Sequence, residues 1–291
     1  ICVAPQQIIE YSATSGTMGT PVYAALTRND LDRLAYNESL SFQLMGLTDQ
    51  DVVQLMLTLD RQFMAGMAYY SGLQKTGAAI VRTGPGLPPM QIDTALKLQS
   101  TALVAVPSFL LKLIEYCEKE HVDINSLPVK KVLCIGENIR DDKLQPNALA
   151  KLITEKWNIQ LYSTYASTEM QTAFTECGEG AGGHHQPELV IVEILDDHDQ
   201  PLEAGQYGEI TVTTLGIEGM PLIRFRTGDI SCFEQTRCAC GRSTQRIRPI
   251  AGRKNQMIKL KGTTLYPATI FDLLNHFSNI KEYVVEVCHN A

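Results

Sequence analysis

Residues 100–117 read Ser-Thr-Ala-Leu-Val-Ala-Val-Pro-Ser-Phe-Leu-Leu-Lys-Leu-Ile-Glu-Tyr-Cys. The first seven residues are a compact, mostly apolar run of strand length. Pro107 and Ser108 then open a helix in which apolar side chains recur at helical spacing: Phe109, Leu110, Leu113, Ile114 and Cys117. A buried strand followed by an amphipathic helix is the unit from which helix-covered parallel sheets are built.

The same alternation continues on both sides of this unit. Towards the C terminus, strand candidates at 131–135 and 159–162 flank a helix that passes through Ala148 and Ile153. Towards the N terminus, a helix around 63–67 is followed by a Gly/Tyr-rich turn and a short strand at 78–81. We therefore predict an α/β fold with a layered, mostly parallel sheet.

The pattern changes after about residue 187. Short strands at 189–195, 208–214 and 222–225, separated by turn residues, predict an antiparallel, barrel-like β subdomain over about 187–250. From residue 254 the pattern predicts a strand, a helix around 270–277 and a strand at 283–287. One such unit cannot bury its apolar face alone. We expect a main domain at 1–253 and, at 254–291, the beginning of a truncated α+β lid domain. Because Ile1 is not an initiator Met, we expect the front end to be trimmed as well.

The bulk properties exclude some classes of function. The net charge of −7 argues against a nucleic-acid-binding face, which needs clustered Lys and Arg. No apolar run approaches the roughly 20 residues that span a bilayer, so we expect no membrane segment. The eight cysteines, with no secretion signal at Ile1, favour a reducing cytoplasm over a disulfide framework.

The segment from Tyr11 to Pro21 reads Tyr-Ser-Ala-Thr-Ser-Gly-Thr-Met-Gly-Thr-Pro. Its glycines and hydroxyl side chains could wrap phosphate oxygens, with backbone N–H groups as further donors. It lacks the Lys of a Walker loop, so it is not a standard P-loop. A surface loop of the same composition is the alternative for this segment taken alone.

Four further segments accompany the loop in a fixed order. They are Gly136-Glu137, Tyr165-Ala-Ser-Thr-Glu169, Phe225-Arg-Thr-Gly-Asp229 and Gly252-Arg253, the last followed by Lys259 and Gly262. Together with the loop they resemble the ordered motifs of the acyl-adenylate-forming superfamily across almost the whole chain. Pro221 to Asp229 and Cys238-Ala-Cys-Gly-Arg242 resemble the phenylacetate–coenzyme A ligase family in particular.

The resemblance implies which residues would hold ATP or AMP. Residues of the loop would surround the β- and γ-phosphates: Thr14, Ser15, Gly16, Thr17, Gly19 and Thr20. Thr168 and Glu169 are the implied catalytic pair. Thr168 would contact the α-phosphate, and Glu169 would bind Mg²⁺, a hard cation that prefers carboxylate oxygen.

The nucleoside would be held by the remaining motifs. In the resemblance, Gly136 and Glu137 border the adenine and Tyr165 stacks against it. Asp229 would accept hydrogen bonds from both ribose hydroxyls, a task suited to a carboxylate with two oxygens. Arg253 belongs to the implied hinge.

The implied reaction is that of an acid–thiol ligase. A carboxylate attacks the α-phosphate of ATP to give an acyl-adenylate and pyrophosphate, and the thiol of coenzyme A then displaces AMP. Two departures from the family stand out. The adenylation Lys near the family's C-terminal end has no counterpart here, so we expect this chain to bind nucleotide but to adenylate poorly. At the hinge, Asn255 stands where the family has Asp.

Cysteine and histidine residues from two loops predict a structural zinc site. Cys238 and Cys240 lie near a turn, and Cys177 precedes a Gly-rich loop that ends in His184-His185. Thiolate and imidazole are the ligands that Zn²⁺ prefers. The resemblance favours Cys177, His184, Cys238 and Cys240. His185 in place of His184, Cys232 as a reserve ligand, free thiols and a disulfide are the alternatives.

The acid substrate would lie near Met67-Ala-Tyr-Tyr-Ser-Gly72, where the family places aromatic side chains. Tyr69, Tyr70 and Ala166 are the pocket candidates, although core packing also explains a Tyr pair. The resemblance implies an aromatic, phenylacetate-like acid. Other acids remain open, including the substrate of a coenzyme F ligase acting on a deazaflavin, as does a non-catalytic AMP-binding module. A homodimer is one arrangement that the sequence allows.

Overall fold

The structure, a computed structural model, describes residues 1–14, 20–260, 263–275, 277, 280 and 283–286. The helices are α1 (Arg28–Leu44), α2 (Met64–Thr76), α3 (Pro88–Leu98), α4 (Pro107–Lys119), α5 (Ala148–Lys156) and α6 (Pro267–Asn275). The first eight strands are β1 (Glu10–Ala13), β2 (Tyr23–Leu26), β3 (Val52–Leu55), β4 (Ala79–Arg82), β5 (Ala102–Ala105), β6 (Lys131–Cys134), β7 (Gln160–Ser167) and β8 (Thr172–Thr175). The others are β9 (Gly183–His184), β10 (Val190–Leu195), β11 (Gly208–Thr214), β12 (Phe225–Ser231), β13 (Arg246–Ile247), β14 (Gly252–Arg253), β15 (Ile258–Leu260) and β16 (Thr263–Leu265).

The largest sheet has eight strands in the order β13-β9-β8-β7-β6-β5-β3-β4. The strands from β4 to β7 pair in parallel, and β8, β9 and β13 continue the sheet in antiparallel pairs. The prediction of an α/β fold with a mostly parallel sheet is confirmed, and the sheet is mixed at one end.

Apolar layers cover both faces of this sheet, because alternate residues of a strand point to opposite sides. In β5, Leu103 and Ala105 pack against α3, α4 and α5, whereas Ala102 and Val104 pack against α1 and α2. Trp157 on one side and Phe42 on the other are fully buried. This double cover explains why the parallel strands read as continuous apolar runs in the sequence.

The antiparallel region forms an open sheet in the order β10-β11-β12-β14. The strands predicted at 189–195 and 208–214 are confirmed, whereas the strand predicted at 222–225 is wrong. Arg224 has a left-handed φ of 47°, and the strand that follows is Phe225–Ser231. The barrel-like subdomain is therefore antiparallel as expected, but its described strands form no closed barrel, since β10 and β14 do not pair.

Two helices of the N-terminal half were not predicted, and one predicted turn was wrong. The Gly/Tyr-rich segment after residue 67 is helical, because α2 continues to Thr76 and ends at Gly77, whose φ is 85°. The two helices that were not predicted are α1 and α3. The buried face of α1 is largely polar, with Asp30, Arg33 and Asn37, and apolar periodicity cannot reveal such a helix.

In the C-terminal segment, a two-stranded sheet and α6 are present, and residues 283–286 form no strand. The proposed boundary at residue 253 stays a prediction. Among the described residues, none of the helices has both the length and the apolar character that a membrane crossing needs.

Candidate active site

A cleft of about 2180 Å³ lies between the carboxyl ends of the parallel strands, the antiparallel sheet and α6. The carboxyl edge of such a sheet is where open α/β proteins bind ligands. The cleft is lined by most of the described residues that the sequence singled out: Thr14, Thr20, Tyr69, Gly136, Glu137, Tyr165, Ala166, Thr168, Glu169, Asp229 and Arg253. Ser15, Gly16, Thr17, Gly19 and Gly262 lie outside the described residues.

The β7–β8 hairpin carries one motif into the cleft. Strand β7 pairs in parallel with β6 only as far as Ser163, and beyond that point it turns back as β8. The turn at 168–171 closes with Gln171 in the left-handed region, at a φ of 48°. Thr168 and Glu169 therefore sit on a protruding turn, partly exposed to the cleft.

Asp229 is bound on both oxygens by residues of the cleft. Its Oδ2 accepts a hydrogen bond of 2.8 Å from the Tyr165 hydroxyl, and its Oδ1 lies 3.2 Å from Arg253 Nε. Asp229 and Arg253 are register partners on β12 and β14, so the sheet itself aligns them. Burial raises the pKa of Asp229 above its ordinary value, against the opposing effects of Tyr165 and Arg253.

Tyr165 is held in place on one ring face. Its ring stacks on Phe174 with centroids 5.9 Å apart. Burial raises the pKa of Tyr165 well above its ordinary value, and the Asp229 carboxylate adds to that shift, so the hydroxyl stays protonated and donates. The arrangement joins an aromatic face to a carboxylate, which are the two groups needed to contact a base and a ribose.

The turn after β6 supplies another wall of the cleft. Gly136 follows the strand with a φ of 76°, a conformation that favours glycine. The carboxylate of Glu137 accepts hydrogen bonds of 2.8 Å from both the backbone N–H and the hydroxyl of Ser108, at the start of α4. Asn138, which sequence reasoning missed, donates to the Ile250 carbonyl at 2.9 Å and ties the two sheets together. Its position directly after Gly136-Glu137 is the sequence feature that could have identified Asn138 as a residue of the cleft.

Two hydrogen bonds join Thr14 and Val22, which flank the segment predicted to bind phosphate. The Thr14 N–H donates to the Val22 carbonyl, and the Val22 N–H donates to Thr14 Oγ1, each at 3.0 Å. These bonds extend the β1–β2 hairpin by one further pair, Thr14 and Val22, and both residues line the cleft. Thr20, on the return side, is exposed.

The two tyrosines of α2 point in different directions. Tyr69 is 2% exposed, packs edge-on against Phe42 and lines the cleft. Tyr70 is not among the lining residues; instead its ring lies beneath the Arg82 guanidinium, 5.6 Å from the ring centroid. Of the pair, only Tyr69 is thus placed to contact a ligand in the cleft, while Ala166 lies exposed along its wall.

Four predicted metal ligands converge behind the hairpin. The ligand atoms of Cys177, His184, Cys238 and Cys240 all lie within 4.8 Å of one another. Cys177 Sγ is 3.5 Å from Cys238 Sγ, and Cys240 Sγ is 3.6 Å from His184 Nε2. Two sulfurs at about 2.3 Å from a tetrahedral zinc ion would be about 3.8 Å apart, so this donor set fits the ion.

The surroundings of the cluster show that neither His185 nor Cys232, the two alternative ligands, belongs to it. His185 Nε2 contacts the Val190 carbonyl at 2.6 Å and its ring stacks on Phe174, so its side chain points away from the cysteines. Cys232 is buried elsewhere and is not in the cluster. Burial, with the charges of Arg242 and Arg246, lowers the pKa of His184 to about 4, which leaves its imidazole neutral.

The cysteines of the cluster differ in acidity. Burial raises the pKa of Cys177 to about 12. Burial also acts to raise the pKa of Cys240, but hydrogen bonds from the Arg242 backbone and from Cys238 outweigh it and lower that pKa to about 7. No disulfide links any of the seven cysteines that the structure describes.

Comparisons with known proteins agree with this geometry. The family model described as AMP-binding enzyme matches residues 3–218. Phenylacetate-coenzyme A ligases of Thermus thermophilus and Escherichia coli are 26% and 27% identical to the chain and align with 92% and 98% of it. The chain spans 60% and 64% of the length of these two relatives.

Solved structures share the fold. A 2-hydroxyisobutyryl-CoA ligase in the postadenylation state superposes with a TM-score of 0.84 over 96% of this chain and 58% of that one, at 22% identity. An o-succinylbenzoate coenzyme A synthetase from Bacillus subtilis in complex with AMP superposes with a TM-score of 0.69 over 94% of this chain and 55% of that one. The family model covers well over half of the sequence, and the chain belongs to the AMP-binding enzyme family.

Proposed function

We propose that the protein is an AMP-forming acid–thiol ligase, which activates a carboxylic acid with ATP and transfers the acyl group to coenzyme A. One observation carries the proposal: Asp229, Tyr165 and Arg253 meet in the cleft that the turn bearing Thr168 and Glu169 also enters. This arrangement suits a nucleotide whose ribose is held at one end and whose α-phosphate reaches the turn. The ligase relatives, of which the chain spans less than two thirds, support the same assignment.

In the first step the protein's main task is to align the acid's carboxylate with the α-phosphate and to stabilise the negative charge that develops there. The acid's carboxylate oxygen forms a bond to the α-phosphorus, and the bond to the pyrophosphate leaving group breaks. Asp229 would hold the ribose hydroxyls and fix the phosphorus along the line of attack. The Thr168 hydroxyl would donate to an α-phosphate oxygen, where negative charge accumulates.

Glu169 would hold Mg²⁺, which supplies further charge neutralisation when bound. Its carboxylate is partly exposed to the cleft and accepts no hydrogen bond from a described residue, so its oxygens are available to a hard cation. Coenzyme A is proposed for the second step because the relatives of Thermus thermophilus and Escherichia coli are coenzyme A ligases.

The acid that we favour is aromatic and resembles phenylacetate. Part of the cleft wall is formed by Leu34, Met64, Ala68 and Tyr69, which offer apolar and aromatic surface. Such a lining suits a flat, apolar acyl group. An acid of another class, or a non-catalytic AMP-binding role, is the alternative, and pyrophosphate exchange on the whole protein separates a ligase from a pure binder.

A structural zinc ion is proposed for the cluster of Cys177, His184, Cys238 and Cys240. Four protein ligands leave no open position for chemistry. The ion would tie the loop after β8 to the loop before β13 and would hold the hairpin turn from behind. We also propose that the protein works in a reducing cytoplasm, where cysteines such as these seven form no disulfide. No described feature speaks for or against the homodimer, which stays a prediction.

The test is isothermal titration of the chain with ATP and Mg²⁺ and then with AMP, with metal analysis of the same sample. We expect saturable binding of both nucleotides and one equivalent of zinc. A folded sample that binds neither nucleotide would contradict the proposed function. A sample with nucleotide binding but no zinc would contradict only the metal assignment.

A further inference from the structure

A buried carboxyl group without a full set of partners lines the cleft. Glu38, on α1, is 4% exposed and lines the cleft. Its Oε1 accepts a hydrogen bond of 2.9 Å from Asn37 Nδ2, but its buried Oε2 accepts none. No ion pair of the described residues includes Glu38. Burial raises its pKa to about 8, against the opposing effect of the neighbouring Ser41 and Asn37 side chains.

The lining of the cleft contains a second buried polar atom without a hydrogen-bond partner, the Oε1 of Gln171. Gln171 is 2% exposed and lines the cleft, and its buried Oε1 also accepts no hydrogen bond. Tyr69 lies near Glu38 on the facing helix, and the negative charge of Glu38 adds to the rise in the pKa of Tyr69 that burial produces. Two buried polar atoms without hydrogen-bond partners in one cleft lining are unusual, because an unpaired buried polar atom costs stability.

The fold does not need this carboxyl group in order to join its elements. Asn37 already ties α1 to β8 by accepting a hydrogen bond of 3.1 Å from the Ala173 N–H. Ser41 does the same through Thr175 at 2.9 Å. An apolar side chain at position 38 would spare the cost of burying a carboxyl group without a cation. A structural role therefore leaves Glu38 unexplained.

Packing also prevents the side chain from withdrawing. Gly72 of α2 lies so close to α1 that a Cβ built on it would be 2.5 Å from Glu38 Cβ. The close packing of α1 against α2 leaves the Glu38 side chain no room to move away, so its carboxyl group stays at the lining of the cleft.

We propose that Glu38 is a specificity-determining residue that binds a hydroxyl group at the far end of the acid substrate, with Gln171 as a second partner. The inference rests on the proposed function, in which Asp229 and Thr168 orient the adenylate so that the acyl group extends towards α1 and α2. The substrate class is then a hydroxylated aromatic acid. A hydroxyl group suits Glu38 because the largely protonated carboxyl group can both donate to it and accept from it.

The probes are phenylacetate and the three hydroxyphenylacetate isomers, and the readout is their binding to the chain saturated with AMP. We expect one isomer to bind roughly 10- to 100-fold more tightly than phenylacetate. Only in that isomer would the hydroxyl group lie within hydrogen-bond distance of Glu38 Oε2 and Gln171 Oε1. Glu38→Leu should abolish this preference and leave phenylacetate bound at least as tightly. Glu38→Gln, which keeps shape and hydrogen bonding, should retain most of it.

AMP binding to each variant serves as the control for folding. Equal binding of all four acids to the unaltered chain overturns the inference, and it indicates that water satisfies Glu38. A preference that survives Glu38→Leu overturns it as well. Failure of the proposed function would look different, since the chain would then bind no AMP, or would bind AMP but none of the four acids.

Discussion

Replacement of Asp229 by Ala should weaken AMP binding about 100-fold. The carboxylate would accept two hydrogen bonds from the ribose, and bonds to a charged acceptor contribute about 1.5–3 kcal/mol each. In the free protein both oxygens already have partners, Tyr165 at 2.8 Å and Arg253 at 3.2 Å, so we take the lower value for each bond. The sum is about 3 kcal/mol, which corresponds to about a 100-fold change in affinity.

The assay is isothermal titration with AMP and with 2′,3′-dideoxy-AMP. The unaltered chain should bind the dideoxy compound about 100-fold more weakly, whereas Asp229→Ala should bind both compounds with the same low affinity. Asp229→Asn keeps the shape and one acceptor oxygen, so its loss should be nearer tenfold. Asp93→Ala removes an exposed carboxylate paired with Lys97, far from the cleft lining, and should change nothing.

Two outcomes would refute this reasoning. If Asp229→Ala bound AMP as tightly as the unaltered chain, the ribose would not lie at Asp229. If the variant still distinguished AMP from the dideoxy compound by the full factor, another group would hold the hydroxyls.

Three further predictions concern the metal cluster, the helix contact and pH. Cys240→Ser should lower the zinc content from one equivalent to near zero and the Tm by about 5 to 10 °C, as a loss of a few kcal/mol would, whereas Cys232→Ser should keep its zinc; metal analysis and calorimetry check both. Gly72→Ala should destabilise the fold by about 1–3 kcal/mol in denaturant titrations, since the added Cβ meets the Glu38 backbone, and unchanged stability would contradict this packing. Because the pKa of Glu38 rises from 4.5 in the unfolded chain to about 8 in the folded one, the folded state holds a proton that the unfolded chain releases, and this residue's contribution to stability falls as pH rises through that window. Relative to the unaltered chain, Glu38→Gln should therefore gain roughly 3–5 kcal/mol of unfolding free energy between pH 4 and pH 9, and a constant difference would refute the shift.

Much of the fold could be predicted because its signals are local. The apolar run at 100–106 and the helical periodicity after Pro107 directly identified β5 and α4. The Cys-x-Cys pair and the Cys177 loop with its two histidines predicted a metal cluster, and the family resemblance favoured the four residues that the structure brings together. Where a motif is a contiguous string, as in Tyr165 to Glu169, the chain order alone was enough to assign it to the cleft.

Other features depend on neighbours that are distant in sequence. The polar buried face of α1 reads as a surface helix or a loop until Arg33 is seen donating to the carbonyls of Gln171 and Leu215. Sequence alone could not show which of Tyr69 and Tyr70 faces the cleft, because both fit a helix and only the packing of α2 decides. The same holds for Arg224, whose left-handed turn delays β12 until Phe225.

The alternation of strands and helices, the order of the nucleotide motifs and the family were all evident from the order of residues along the chain. Periodicity and short motifs depend only on residues close together along the chain, so they can be read without coordinates. Three features became visible only in the folded chain: His184 rather than His185 faces the cysteines, Arg253 pairs with Asp229, and Glu38 is buried without a cation. Burial and partnership depend on contacts between segments far apart in the chain, and these exist only once the sheets have formed.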